Sequence, residues 1–93
     1  MIYTNHALQR ISNRALPEEV LETIYSLGEE FSSNGRSRII KLANKLAKSE
    51  FVEELRNRGI KLRKKWLDAY LVCDESGVVI TAGYRNKRIF DKY

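Results

Sequence analysis

The chain predicts an α+β fold, in which N-terminal helices pack on a small antiparallel sheet formed by the C-terminal half, with a helical insertion in the middle. Three observations predict it. Apolar residues recur at three- and four-residue spacing across residues 1–28, the mark of amphipathic helices. Beyond Gly59 the period changes to two. Finally, Asp74-Glu75-Ser76-Gly77 reads as a turn between two strand-like runs, Trp66 to Cys73 and Val78 to Tyr84, which should pair as an antiparallel hairpin. With 93 residues, 43% apolar and 31% charged, the chain reads as one globular domain over residues 1–93 with a single modest core.

Taken in order, Thr4 or Asn5 caps a first helix that runs to about Arg14, with Ala7, Leu8, Ile11 and Ala15 as its apolar stripe. Pro17 followed by Glu18 and Glu19 opens a second helix, because proline lacks a donor that would be orphaned there and the carboxylates complement the helix dipole. Val20, Leu21, Ile24, Tyr25 and Leu27 form its buried face, and Gly28 is its natural terminator. Glu29 to Gly35 reads as an exposed loop.

From about Ser37 the spacing predicts a third helix with Ile39, Ala43, Leu46 and Ala47 on one stripe. Arg38, Lys41, Lys45 and Lys48 fall on its opposite side at about 100° per residue. Ser49 is placed to cap a fourth helix carrying Phe51, Val52 and Leu55 and ending at Gly59, unless the third and fourth are one bent helix. Ile60 to Arg63 alternates like a short edge strand, which with the hairpin makes three strands.

The net charge is 17 − 12 = +5 and is unevenly spread. Residues 1–35 carry two basic and five acidic side chains, residues 36–65 eleven and three, residues 66–93 four and four. A positive field concentrated in the middle third attracts polyanions: nucleic acid, an anionic surface or an acidic protein. No apolar run reaches the roughly 20 residues that cross a bilayer, so no membrane segment is expected. Met1 to His6 lacks the basic and apolar regions of a secretory signal. Cys73, the one cysteine, suits a reducing cytoplasm and reads as a small buried hydrophobe in preference to a nucleophile. One His and one Cys do not make a typical zinc set, no glycine-rich phosphate loop is present, and no cofactor is expected.

The residues that offer chemistry lie at the two ends. His6, Arg10 and Arg14 advance by about 40° per step on a helix, so they share a strip at the rim of the helix–sheet contact. An imidazole among permanent cations suits the binding, and the cleavage, of a phosphodiester. In the last strand Val79, Thr81, Gly83 and Arg85 should face one way, and Val78, Ile80, Ala82 and Tyr84 should face the core. Gly83 leaves a hole beside a hydroxyl and a guanidinium where a backbone or ligand can come close. Arg85, Lys87 and Arg88 extend the charge, and Tyr84 is the ring nearest these clusters on which a base could stack. Each group has a plainer reading too, as solvated surface charge or, for Gly83, a bulge.

The run Thr4-Asn5-His6-Ala7-Leu8-Gln9-Arg10 with Asn13-Arg14, together with Val79-Ile80-Thr81-Ala82-Gly83-Tyr84-Arg85-Asn86-Lys87-Arg88, resembles a family of small bacterial domains with an H-A-x-x-R-x-x-x-R start and a V-I-T-x-x-x-R close. That family is similar to the RelE/ParE-like toxin superfamily, in which two N-terminal helices lie against an antiparallel sheet. The matching segments lie at the chain's two ends, and the basic middle departs from the family's shortest members. The resemblance implies an RNA-binding, toxin–antitoxin-type protein, with metal-independent endoribonuclease activity as its chemistry. His6 and Arg85 would be catalytic, and Arg10, Arg14 and Thr81 would hold the phosphate. From the residues, Tyr84, Arg88, Arg38, Lys41 and Lys45 are added as substrate contacts. The alternatives are a non-catalytic nucleic-acid module, or a mobile-element component whose basic middle docks an acidic antitoxin-like partner.

Overall fold

The computed structural model describes residues 1–32 and 35–84. Over these residues the order is α1 (Asn5–Asn13), α2 (Glu18–Leu27), β1 (Glu29–Ser32), β2 (Arg38–Lys41), α3 (Lys45–Asn57), a 3-10 helix (Lys64–Asp68), β3 (Ala69–Cys73) and β4 (Val79–Tyr84). The strands form one antiparallel sheet in sequence order, β1-β2-β3-β4, with the helices packed against it, so the fold is α+β. Arg85 and Arg88, proposed from the sequence as site residues, lie outside the described residues.

Thr4, rather than Asn5, caps α1: its Oγ1 accepts from the Ala7 amide at 3.1 Å. The same hydroxyl donates to the Ile80 carbonyl at 3.3 Å, while the Thr4 amide donates to Val79 O and the Val79 amide to Ile2 O. These bonds clasp the start of α1 to the free edge of β4, and the helix then runs along that strand. It ends in a Schellman motif, with the Leu16 amide donating to Ile11 O and the Ala15 amide to Ser12 O. Ala15 occupies the left-handed position at φ 51°, where a side chain costs about 1–2 kcal/mol. α3 ends with the same pair of bonds, Ile60 to Leu55 and Gly59 to Arg56, but there the left-handed residue is Gly59.

Gly28 terminates α2 as expected, though for a different reason. Its φ is −78°, which any residue can adopt. What it supplies is space: a Cβ there would lie 2.6 Å from Ile24 O, 2.8 Å from Ile40 Cγ2 and 2.9 Å from Lys41 O.

The middle of the chain corrects the sequence reading. Residues 29–32 are strand β1 rather than loop, and Arg38-Ile39-Ile40-Lys41 is strand β2 rather than the start of a helix. Helix α3 begins at Lys45 because Asn44 caps it, its Oδ1 accepting from the Ala47 amide at 2.9 Å. Ser49 sits inside that helix and caps nothing. The edge strand expected at Ile60–Arg63 does not form, and Trp66 belongs to the 3-10 helix, which shortens β3. The sheet therefore has four strands, not three.

Cross-strand register sorts side chains between two faces. On the helix side Ile40, Leu71, Val79 and Ala82 meet Ala7, Leu21, Ile24 and Phe51, all buried. Val79 joins this set because Ile80 is an extra residue in β4: Cys73 pairs with Val79 and Val72 with Thr81. That bulge breaks the simple alternation expected for the last strand and puts Val79, Ala82 and Tyr84 on one side. The outer face carries two rows that cross all four strands. One is Phe31, Ile39, Val72 and Thr81; the other is Glu29, Lys41, Tyr70 and Gly83. Ile39 is buried yet stands apart from the helix-side core, as this placement requires.

Candidate nucleic-acid interface

Cations converge where α1, the 3-10 helix and β4 meet. The Tyr84 hydroxyl donates to the Arg14 carbonyl at 3.0 Å, tying the end of α1 to the end of β4. Lys65 Nζ lies 5.4 Å from the centroid of the Tyr84 ring, within cation–π range. Burial pushes the Tyr84 hydroxyl up from its usual value, while the Arg63 guanidinium, the Trp66 indole N–H and the Arg14 guanidinium pull it down. The Trp66 N–H is close enough to act on that oxygen yet completes no well-aligned hydrogen bond of its own among the described residues.

Gly83 shows how the corner reaches the outer face. A Cβ there would meet Arg14 Nε, Tyr70 Cε1 and the Tyr70 hydroxyl, each at 3.2 Å. Gly83 pairs with Tyr70 and shares its face, so the Arg14 side chain bends round the β4 edge to fill the hole that the glycine leaves. Thr81 lies two residues back on the same face, half-buried. Arg14, Thr81, Gly83 and Tyr84 are thus neighbours at one end of the sheet.

His6 and Arg10 sit further along α1, both exposed. Arg10 Nε donates to His6 Nε2 at 3.5 Å, a long contact that needs the imidazole lone pair. At about 1.5 Å rise per residue, His6 stands about 12 Å along the helix axis from Arg14. His6 and Arg10 are in contact along α1, while Arg14, at the helix end, turns its side chain to Gly83, so the histidine stands apart from the Tyr84 corner.

The cationic helix face expected in the middle of the chain is not formed. Arg38, Lys41 and Lys45 lie on different surfaces because their segment is a strand followed by a new helix. Arg38 is on the helix side of β2, held by Glu30 at 3.1 Å and by the Asp74 carbonyl at 3.4 Å. Lys41 is on the outer face, 5.6 Å from the centroid of the Phe31 ring. Lys45 opens α3, exposed. Sequence reasoning passed over Arg63 and Lys65. The density of the run Lys61-Leu62-Arg63-Lys64-Lys65 was the available signal.

A groove of about 390 Å³ lies elsewhere, between α2 and α3, and it is acidic, with Glu22, Glu50, Glu53 and Glu54 on its walls. Arg58, at the end of α3, pairs with Glu54 one turn back on the same wall at 3.1 Å. Charge on this molecule is therefore segregated. Among the described residues no cluster of three or more His, Cys, Asp or Glu could hold a metal ion, and no helix is long and apolar enough to cross a membrane. No family model, curated protein or solved structure matches the chain.

Proposed function

We propose that this chain binds RNA through the cationic end of the molecule, with Arg14, Arg63 and Lys65 contacting phosphates and Arg10 extending the track along α1. The observation that supports the reading best is the approach to Tyr84 of Arg14, from the end of α1, and of Arg63 and Lys65, from the start of the 3-10 helix. Positive charge on α1 alone would be a solvated surface; charge from two separate segments about one ring is a concentrated field. Binding of this kind loses affinity as salt rises, because each neutralised phosphate releases counterions. Titrating a labelled oligonucleotide at several salt concentrations tests it. Arg14→Ala and Lys65→Ala should each flatten the slope of log affinity against log salt by about 0.7. Salt-independent or absent binding overturns the reading.

A second reading, metal-independent cleavage of the toxin type, draws on the Arg10–His6 contact, which sets a guanidinium beside an imidazole. In it the substrate's 2′-OH attacks the adjacent phosphorus as the bond to the 5′-oxygen of the next nucleotide breaks, giving a 2′,3′-cyclic phosphate and a 5′-hydroxyl; His6 takes the 2′-OH proton or gives one to the leaving 5′-oxygen, with water at the other position, and Arg10 balances charge on the phosphate. Arg14 then holds a neighbouring phosphate instead of the scissile one. Incubation with RNA in excess chelator decides it: fragments made by wild type and lost in His6→Ala support cleavage, and identical products or none remove it.

A further inference from the structure

The two edges of the sheet are treated differently. At the β4 edge the Val79 amide donates to Ile2 O, the Thr4 amide donates to Val79 O, and Tyr3 bridges to Val79 in parallel. Helix α1 continues along that strand, and Val79 and Ala82 are buried. At the other edge β1 has a strand on one side only among the described residues, and all four of its residues, Glu29–Ser32, are exposed.

The alternation of hydrogen bonds fixes which backbone groups of β1 point away from the sheet. The Asp74 amide donates to Val78 O, while the Val79 amide and carbonyl bond to residues 2 and 4, so Cys73 turns its own amide and carbonyl toward β2. Cys73 pairs with Arg38, and the alternation carries across β2: Arg38 and Ile40 bond to β3, Ile39 and Lys41 to β1. Phe31 pairs with Ile39 and Glu29 with Lys41, so these two use their amides and carbonyls inside the sheet. Glu30 and Ser32 are left with theirs aimed outward.

Such an edge fits an extended strand, and a second copy of this chain meets it in one register. Because β4 is closed, copies can join only β1 to β1, about a two-fold axis perpendicular to the sheet, which pairs residues of the same face. With Phe31 opposite Phe31 of the second copy, Glu30 and Ser32 of each chain oppose Ser32 and Glu30 of the other. Each of these two pairs exchanges two backbone bonds, 2 × 2 = 4 in all. Centring the axis on Glu30 instead sets two carboxylates face to face and opposes Ser32 to Gly28, whose amide already donates to Ile24 O. In the favoured register Glu30 faces a serine, and its charge is already met by Arg38 at 3.1 Å. The two Phe31 residues form the closely spaced kind of pair, with Cα atoms about 4.5 Å apart and rings side by side. The strand is short, so the contact belongs to the weak, reversible class.

We infer that this protein forms a two-fold dimer through β1, joining two four-stranded sheets into one of eight strands and ending there. The cationic corners at the β4 edges then lie at the two outer ends, about 34 Å apart over seven strand spacings of about 4.8 Å. The inference does not depend on the RNA-binding reading and is tested without nucleic acid. Sedimentation of the full chain from about 1 μM to about 1 mM should pass from monomer to dimer, with no larger species. Ser32→Pro removes an outward N–H and no bond within the sheet, so it should abolish the dimer while the thermal midpoint stays near that of wild type. Phe31→Lys sets like charges face to face and should weaken the dimer by about tenfold at low salt. It replaces an exposed ring, and so decides the matter if the proline variant does not fold. Cysteines report the register under a mild thiol oxidant such as diamide. Phe31→Cys should give a covalent dimer. Ser32→Cys and Glu30→Cys, which stand diagonally at about 7–8 Å, should not, and neither should wild type, whose Cys73 is buried. A monomer at every concentration overturns the inference and leaves the edge to a strand of another protein. Growth beyond two copies, a dimer untouched by both Ser32→Pro and Phe31→Lys, or cross-linking at position 30 or 32 in preference to 31 overturns it as well.

Discussion

The two faces of the sheet come from the same strands, yet they hold their neighbours in opposite ways. On the helix side, contact is close and made by groups that cannot move: Gly28 is pressed against two carbonyl oxygens and the Ile40 methyl. On the outer side, the corresponding close approach at Gly83 is made by the far ends of Arg14 and Tyr70, side chains with room to turn. The contrast teaches that a close approach made by fixed groups admits no added atom, whereas one made by the ends of long side chains can adjust.

Substitutions along β3 sharpen this most. Leu71→Ala empties a fully buried site and should cost about 2–5 kcal/mol in urea unfolding. Val72→Ala, the next residue but on the outer face, should cost less than about 1.5 kcal/mol. Equal losses at the two positions would erase the distinction between the faces. The glycines give the next largest difference. Gly28→Ala should destabilise by about 1–3 kcal/mol through overpacking, whereas Gly83→Ala should change stability by no more than about 1 kcal/mol. A severe loss from Gly83→Ala would mean that Arg14 and Tyr70 are as fixed as backbone.

A gain is expected at the end of α1. Ala15→Gly relieves a left-handed alanine and should raise stability by about 1 kcal/mol, bringing that helix end to the form already present at Gly59. The smallest effect is a pH dependence at Tyr3, next to the β4 edge. Burial first, then Glu18, Glu22 and Cys73, pushes its hydroxyl from 10.0 up to about 12. The unfolded chain therefore gives up this proton first, and the contribution of Tyr3 is complete below its unfolded value and lost as pH climbs through the 10-to-12 window. Unfolding midpoints on either side of that window should fall less steeply in Tyr3→Phe than in wild type; parallel slopes would contradict it.

How much of this was legible follows from how local each signal is. Thr4, Pro17 and Gly59 act within a turn of their own position and were readable. So was the hairpin turn, where Asp74 Oδ1 accepts from the Ser76 and Val78 amides at 2.9 and 3.0 Å and Gly77 takes φ 89°. β2 was not, because it is buried on both faces: Ile40 faces the helices and Ile39 the outer side, so its alternation vanishes in a four-residue run that fits a helix as well. β1 is short and exposed throughout and makes no pattern. Of the candidate site, spacing gave the neighbourhood of His6 and Arg10 and the hole at Gly83. It did not give Arg63 and Lys65, whose nearness to Tyr84 is a contact between distant segments. Spacing also grouped Arg38, Lys41 and Lys45 on a helix that does not exist.

The clasp between Thr4 and Ile80 joins residues 76 positions apart, which gives the molecule an order of assembly. A ribosome delivers α1 well before β4, and a nine-residue helix has little persistence by itself in water. Until the hairpin emerges, the nascent chain carries Ala7 and Ile11 without their sheet, and loop closure over so long a span slows the final docking. Translation that halts ahead of Val79 leaves an open-ended product, one that proteases and chaperones can tell from the finished domain.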